Sequence, residues 1–171
     1  KLRYWGSDGV SAGYLGSYDE QSLQIFINAT RCDGQFFADI SIGETYVGTD
    51  GTKLSYISNN ESVETPAGKF DDCQVWEIRR WTHNQKIVCR TYYKDGIGIV
   101  RQDHTTDGVT ETHLLKSYNV KNASGLLPMD EGNHWEYESL QDSSFIAQEN
   151  CFSVAFANDE KVMLAHWSNV E

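Results

Sequence analysis

Proline is nearly absent, with two residues in a chain of 171, so no stiff proline-rich spacer divides the sequence. Apolar runs stay short of the ~20 residues that a membrane-spanning helix needs. Sustained apolar spacing at i, i+3, i+4 and i+7 is missing, which leaves little support for helix. The four cysteines, Cys32, Cys73, Cys89 and Cys151, include no CxxC, the close pair that most zinc sites carry. Three complete pairings are open to them, and each reads equally well as a small buried hydrophobe. Basic residues are outnumbered by acidic ones, 14 against 25, for a formal net charge of -11. Such a chain repels a phosphate backbone and an anionic lipid surface, so neither nucleic acid nor membrane is an expected partner.

Local metal-binding signatures are also missing. No H-E-x-x-H occurs, and "DGTKLSYISNNE" lacks the alternating ligands of a calcium loop. The adjacent acids Asp71-Asp72 and Asp130-Glu131 read as loop charges, because neighbours in a strand point to opposite faces. "YYKDGIGIV" at 92–100 has two glycines one residue apart but no following Lys-Ser or helix to cradle a phosphate. The stretch reads better as a turn at Asp95-Gly96 feeding a strand, with Gly98 serving a bulge or a ring packed over it from Tyr92, Tyr93, Trp76 or Trp81. No catalytic, cofactor-binding or metal-ligating residue is assigned, and no cofactor is expected.

What remains is aromatic and strand-like. Nine Tyr, seven Phe and five Trp supply enough large apolar groups for a real core. Period-two alternation and β-branched or aromatic enrichment predict strands at 34–43 (Phe37, Ile40, Ile42), 53–59, 73–81, 86–93, 96–102 and 108–120. "THNQ" and the Asp-Gly of "DHTTDG" predict tight turns between them. Residues 71–120 therefore read as an antiparallel meander. The segment 134–140 alternates again, 143–152 is open between helix and strand, and 151–167 reads as a closing hairpin turning at "ANDEK". One β-rich domain, 1–171, is expected, with a candidate internal boundary near 121–133. The chain opens on "KLRYWGSDGV", already strand-like and without a visible secretory leader, as expected of a mature or trimmed chain.

Two features invite a functional reading. Arg79, Arg80, Lys86 and Arg90, with Trp76, Trp81 and Tyr92 nearby, form a basic patch on facing strands, of the kind that binds nucleic acid or simply faces solvent. His104 and His113, beside Asp103 and Asp107, flank a hairpin across which two imidazoles and a carboxylate could meet around zinc; surface polarity beside a turn is the plainer reading. His83 sits in a turn, and the sequons at Asn28, Asn60 and Asn122 matter only if the chain is secreted from a eukaryotic cell.

"SVETPAGKFDDCQVWEI" and "YYKDGIGIVR" resemble an uncharacterised module of secreted or lipid-anchored bacterial proteins, of pattern TPAGxFxxCxxV followed by YYxxGxGxVK. Thr65, Pro66, Ala67, Gly68, Phe70 and Cys73, with Val75 following, carry the first part. Tyr92, Tyr93, Gly96, Gly98 and Val100 carry the second, with Arg101 in the lysine position. Gly132, Asn133, Trp135 and Tyr137 are similar to the PLxxGNxWxY opening of such modules, here placed where a second copy would begin. The resemblance covers about half the chain. It implies a strongly curved antiparallel sheet, half-barrel or barrel-like, related to lipoprotein-carrier-like β domains, and an extracytoplasmic location. The expected function is non-catalytic binding of a protein or an apolar small-molecule ligand by a surface or lipid-anchored protein. The alternatives are a carrier of an acyl chain in an open groove, and a hydrolase with residues gathered from separate strands. Oligomeric state is left open.

Overall fold

The computed structural model describes the backbone of residues 2–7, 12–18, 24–27, 32–35, 41–47, 51, 53–82, 84–121, 125–126, 128, 130–141, 144–157 and 160–169. Side chains are described for 41–47, 51, 53–81, 84–121, 125–126, 128 and 130–140. Every regular element among these residues is a strand. In chain order they are β1 (Leu2–Ser7), β2 (Ala12–Tyr18), β3 (Gln24–Ile27), β4 (Cys32–Gln35), β5 (Thr45–Val47), β6 (Lys53–Thr65), β7 (Gly68–Thr82), β8 (Gln85–Lys94), β9 (Gly98–Thr106), β10 (Val109–Asn119), β11 (His134–Gln141), β12 (Ser144–Ala157) and β13 (Glu160–Asn169).

Seven strands, β5 to β11, form an antiparallel meander in which each pairs with its sequence neighbour. From β5 to β10 short turns dictate this order, since a parallel crossover needs a dozen residues or more; the longer connection 120–133 returns β11 antiparallel to β10. At Asp107-Gly108 both residues take positive φ, 50° and 93°, the twist that matches a two-residue hairpin to its strands. Gly96, at φ 73°, makes the turn of "KDGI", where the Ile97 N–H donates to the Lys94 carbonyl at 3.0 Å. The sheet continues from β11 through β12 and β13, then to β1, parallel to β13, and β2. The 143–152 segment, ambiguous in sequence, is strand, and β12 and β13 form the expected hairpin. Of the strand expected at 34–43, residues 36–40 lie outside the described residues, and Ile42 and Gly43 lie in a turn. Residues 121–133 join two strands that pair directly with each other.

The strongly curved, half-barrel or barrel-like sheet implied by the resemblance is not what the chain forms. The strands lie in line, β2-β1-β13-β12-β11-β10-β9-β8-β7-β6-β5, so β2 and β5 are edges rather than partners. Closure requires the first and last strands to pair at a fixed shear. A meander built by short hairpins adds strands one at a time and imposes no such pairing.

Bending is local instead. Three register shifts between β6 and β7, from Tyr56 to Val63, are bulges, which kink a strand pair. They carry the tip of this hairpin to β10, where the Ala67 N–H donates to the Leu115 carbonyl at 3.0 Å. The β9–β10 ladder ends at the Arg101–Leu114 pair, so the carbonyls before it need other donors. The Trp135 indole N–H reaches the Ile97 carbonyl at 2.6 Å and the Tyr137 hydroxyl reaches the Ile99 carbonyl at 2.8 Å. These two bonds bracket Gly98, whose φ is 109°. The β8–β9 register shifts beside it, between Tyr92 and Tyr93. The rings that bond on either side of Gly98 belong to Trp135 and Tyr137 of β11, which were not among the aromatics expected there. Gly98, Ile99 and Val100 are all buried, because the bulge breaks the alternation that would expose every second residue. Asn133, fully buried, closes the 121–133 connection: its side chain donates to the Pro128 carbonyl and accepts from the Lys121 N–H. The "GNHWEY" motif therefore packs against "YYKDGIG" in one core with Val63, Phe70, Cys73, Leu115 and Val100.

Candidate functional site

Alternation along each strand gives the sheet two faces. On the inner face one row runs Tyr56–Trp76–Thr91–Gln102–His113–Ser139 and the next Leu54–Ile78–Cys89–His104–Glu111. The rows begin apolar, with the Tyr56 and Trp76 rings stacked at 4.3 Å, and end polar. Gln102 donates to the Thr91 hydroxyl at 3.2 Å. Ser139 and His113 Nδ1 lie 2.8 Å apart, and His113 Nε2 lies 3.2 Å from Glu111. Serine, imidazole and carboxylate in series are the parts of an acyl-transfer relay. Here they come from facing positions of two paired strands. Ser139 is 0% exposed, so a substrate carbonyl has no approach to its oxygen, and the bonds serve as ordinary satisfaction of buried polar groups.

The outer face carries the charges. Of the basic patch read from sequence, Arg79, Trp81, Lys86, Arg90 and Tyr92 share this face; Arg80 and Trp76 belong to the other, because they fall on the opposite parity of β7. Glu77 lies directly opposite Arg90, and Arg90 directly opposite Asp103. Glu77 is buried beneath its own partners: one oxygen accepts from Arg79 Nε and the other from Arg90 Nε and Nη2. Burial pushes the Glu77 carboxyl up, but the hydrogen bonds from Arg90 and Arg79 outweigh it and hold the group below its usual range. The Arg90 guanidinium is pushed up in turn, chiefly by its bond to Glu77. Asp103 accepts from Arg101 Nε at 2.9 and 3.1 Å and from the Thr112 hydroxyl at 2.9 Å. The Arg101 guanidinium stands 5.2 Å above the Tyr92 ring, within cation–π reach.

Register arranges the arginines. Arg90 is one strand over and two residues along from Arg79, and Arg101 stands in the same relation to Arg90. The three form a diagonal stripe, with side chains 57%, 42% and 38% exposed. At its β6 end Lys53 is directly opposite Arg79. Trp81, 74% exposed, is directly opposite Lys86.

No family model, curated protein or solved structure matches the chain.

The other sequence candidates are dispersed. His104 and His113 share the inner face, two residues out of register, while Asp103 is on the outer face and Asp107 in the turn. Among the described residues no group of three or more His, Cys, Asp or Glu is placed to hold a metal ion. Cys73 and Cys89 are free, buried thiols, and burial pushes the Cys73 thiol up. His83, Asn28 and Asn122 lie outside the described residues, as do the side chains of Cys32, Cys151 and His166; Asn60 is exposed on β6. Among the described residues no helix is long and apolar enough to cross a membrane. Sequence reasoning missed Glu77 and Arg101 as parts of the patch. Their signal was present in the strand parity of β7 and β9, once hairpin registers are assigned.

Proposed function

We propose that the protein is a non-catalytic β domain of a secreted or lipid-anchored bacterial surface protein, working outside the cytoplasm and binding a protein partner on the outer face of its sheet. The location rests on the resemblance of "TPAGKFDDC" and "YYKDGIGIVR" to modules of such proteins. The binding role is supported by one observation, the stripe Arg79–Arg90–Arg101, whose guanidinium groups are fixed by Glu77 and Asp103 before any partner arrives. Preorganised arginines lose little conformational freedom on binding and offer forked donors to carboxylates.

The carrier reading needs an open groove in a strongly curved sheet. The inner face is filled instead, with Trp135, Tyr93, Leu115 and Val100 at most 2% exposed. The test is arginine footprinting with phenylglyoxal, on the protein in its native cells and on the purified protein. Arg79, Arg90 and Arg101 are expected to react more slowly in cells than after purification. Equal reactivity in both settings overturns the binding role.

A further inference from the structure

We infer that the partner's contact is an extended acidic segment with a carboxylate at every second residue, lying along the arginine stripe; this rests on the binding role proposed above. Three observations lead there. The first is spacing. Diagonal neighbours on adjacent strands stand roughly 7–8 Å apart, and alternate residues of an extended chain repeat at roughly 7 Å on one side. Glu or Asp at alternate positions therefore meets Arg101, Arg90 and Arg79 in turn, each by a charge-assisted bond.

The second is charge. Among the described residues, Lys53, Arg79, Lys86, Arg90 and Arg101 stand against Glu77, Asp103 and, at the β9–β10 turn, Asp107, an excess of two positive charges on a chain of -11, with Glu138 the next acid in the row of Arg101, two strands away. Lys53 and Arg79 are directly opposite each other across two strands. Like charges in that relation are destabilising, and an anion between them relieves the repulsion. The third observation separates a peptide from a nucleic acid. Tyr92 lies beneath Arg101, which leaves Trp81 as the aromatic on this part of the face open to stack a base. The field of an acidic chain also opposes a long polyphosphate more than a short segment of carboxylates.

The experiment uses the whole chain and a fluorescein-labelled synthetic peptide alternating Glu and Thr. Its controls are an isomer with the same residues in two blocks and a thymidine oligonucleotide of similar charge. Anisotropy is read at about 50 and about 150 mM salt, where screening separates surface charge pairing from the rest. The alternating peptide is expected to bind about tenfold tighter than the block isomer and to weaken at the higher salt. The double variant Lys53→Gln with Arg79→Gln is expected to lose about tenfold or more in affinity. Lys53→Gln with Lys86→Gln leaves the bonds to Glu77 intact and is expected to weaken binding in the same direction. Lys69→Gln, at the far tip of the β6–β7 hairpin, is expected to bind like the parent. Absence of peptide binding, equal binding of the two isomers, equal binding by the double variants, or tighter binding of the oligonucleotide overturns the inference. Slowed arginine reactivity in cells alongside any of these results leaves the binding role standing with a partner of different chemistry.

Discussion

Glu77 is the residue on which the outer face is organised, since it orients Arg79 and Arg90 together. Replacing it by Gln removes the charge but keeps the volume. The arginines are half exposed, so the loss is that of screened, charge-assisted bonds, about 1–2 kcal/mol at neutral pH. The pH dependence has a definite sign. The folded carboxyl titrates below its unfolded value, so its contribution is complete above about pH 4.3 and is lost as pH falls through the folded value. Thermal melts are expected to show a midpoint a few degrees lower for Glu77→Gln at pH 7 and a smaller gap at pH 3. A gap that stays constant or widens on acidification contradicts the assignment. On the other face, buried Ser139 is expected to resist a fluorophosphonate probe in the native protein, as read by mass spectrometry. Labelling that disappears in His113→Asn would turn the Glu111–His113–Ser139 series into an active site. Composition made Arg79, Lys86 and Arg90 visible as a patch. It did not sort them from Arg80 and Trp76, because which neighbours share a face depends on register, a long-range property of the hairpins.

At the scale of elements, the seam where β9 parts from β10 holds the two halves of the meander together. Val at position 98 must adopt the φ of 109° that glycine reaches without strain, in a buried site between carbonyls held by Trp135 and Tyr137. Strain and overpacking together are expected to cost about 2–4 kcal/mol. Trp135→Phe is expected to cost about 1–3 kcal/mol, because the Ile97 carbonyl loses its indole donor. Urea midpoints measure both, with exposed Val109→Thr as the reference. A Gly98→Val midpoint equal to the reference contradicts the account of the seam. Strand positions from 73 to 120 were legible because turn chemistry is local: Asp107-Gly108 and Asp95-Gly96 announce themselves; the extension of β6 and β7 to a turn at Pro66-Ala67 was not, since bulges break the alternation there. The pairing of "GNHWEY" with "YYKDGIG" was not legible. It joins residues 38 apart in the chain through side-chain bonds, which leave no periodic trace in either segment.

Among the described residues the main sheet is open, with edges, in place of the strongly curved, half-barrel or barrel-like sheet that the resemblance implies, and that difference has a colloidal consequence. β5 forms one edge, three exposed residues that include Tyr46 and Val47. An exposed apolar edge strand is a template for pairing with another chain. At neutral pH a net charge of -11 keeps copies apart. The sequence isoelectric point is about 4.8, so acidification removes that protection while the sheet still carries its exposed edge. Light scattering is expected to rise reversibly as pH falls from 7 toward 5, with no loss of the β-type circular dichroism. Val47→Glu places a carboxylate on the edge opposite Lys53, its cross-strand partner. The fold gains an ion pair there, and an incoming strand meets a charge. At pH 5 most of that carboxylate is ionised, since the usual glutamate value is about 4.3. The variant is therefore expected to scatter less than the parent at pH 5, although it raises the negative charge by only one. A variant with the same added charge away from the edge, Ser58→Glu, separates the two causes. If edge pairing drives association, Val47→Glu suppresses it and Ser58→Glu barely alters it. Equal suppression by both would assign the effect to net charge alone and remove the edge from the explanation.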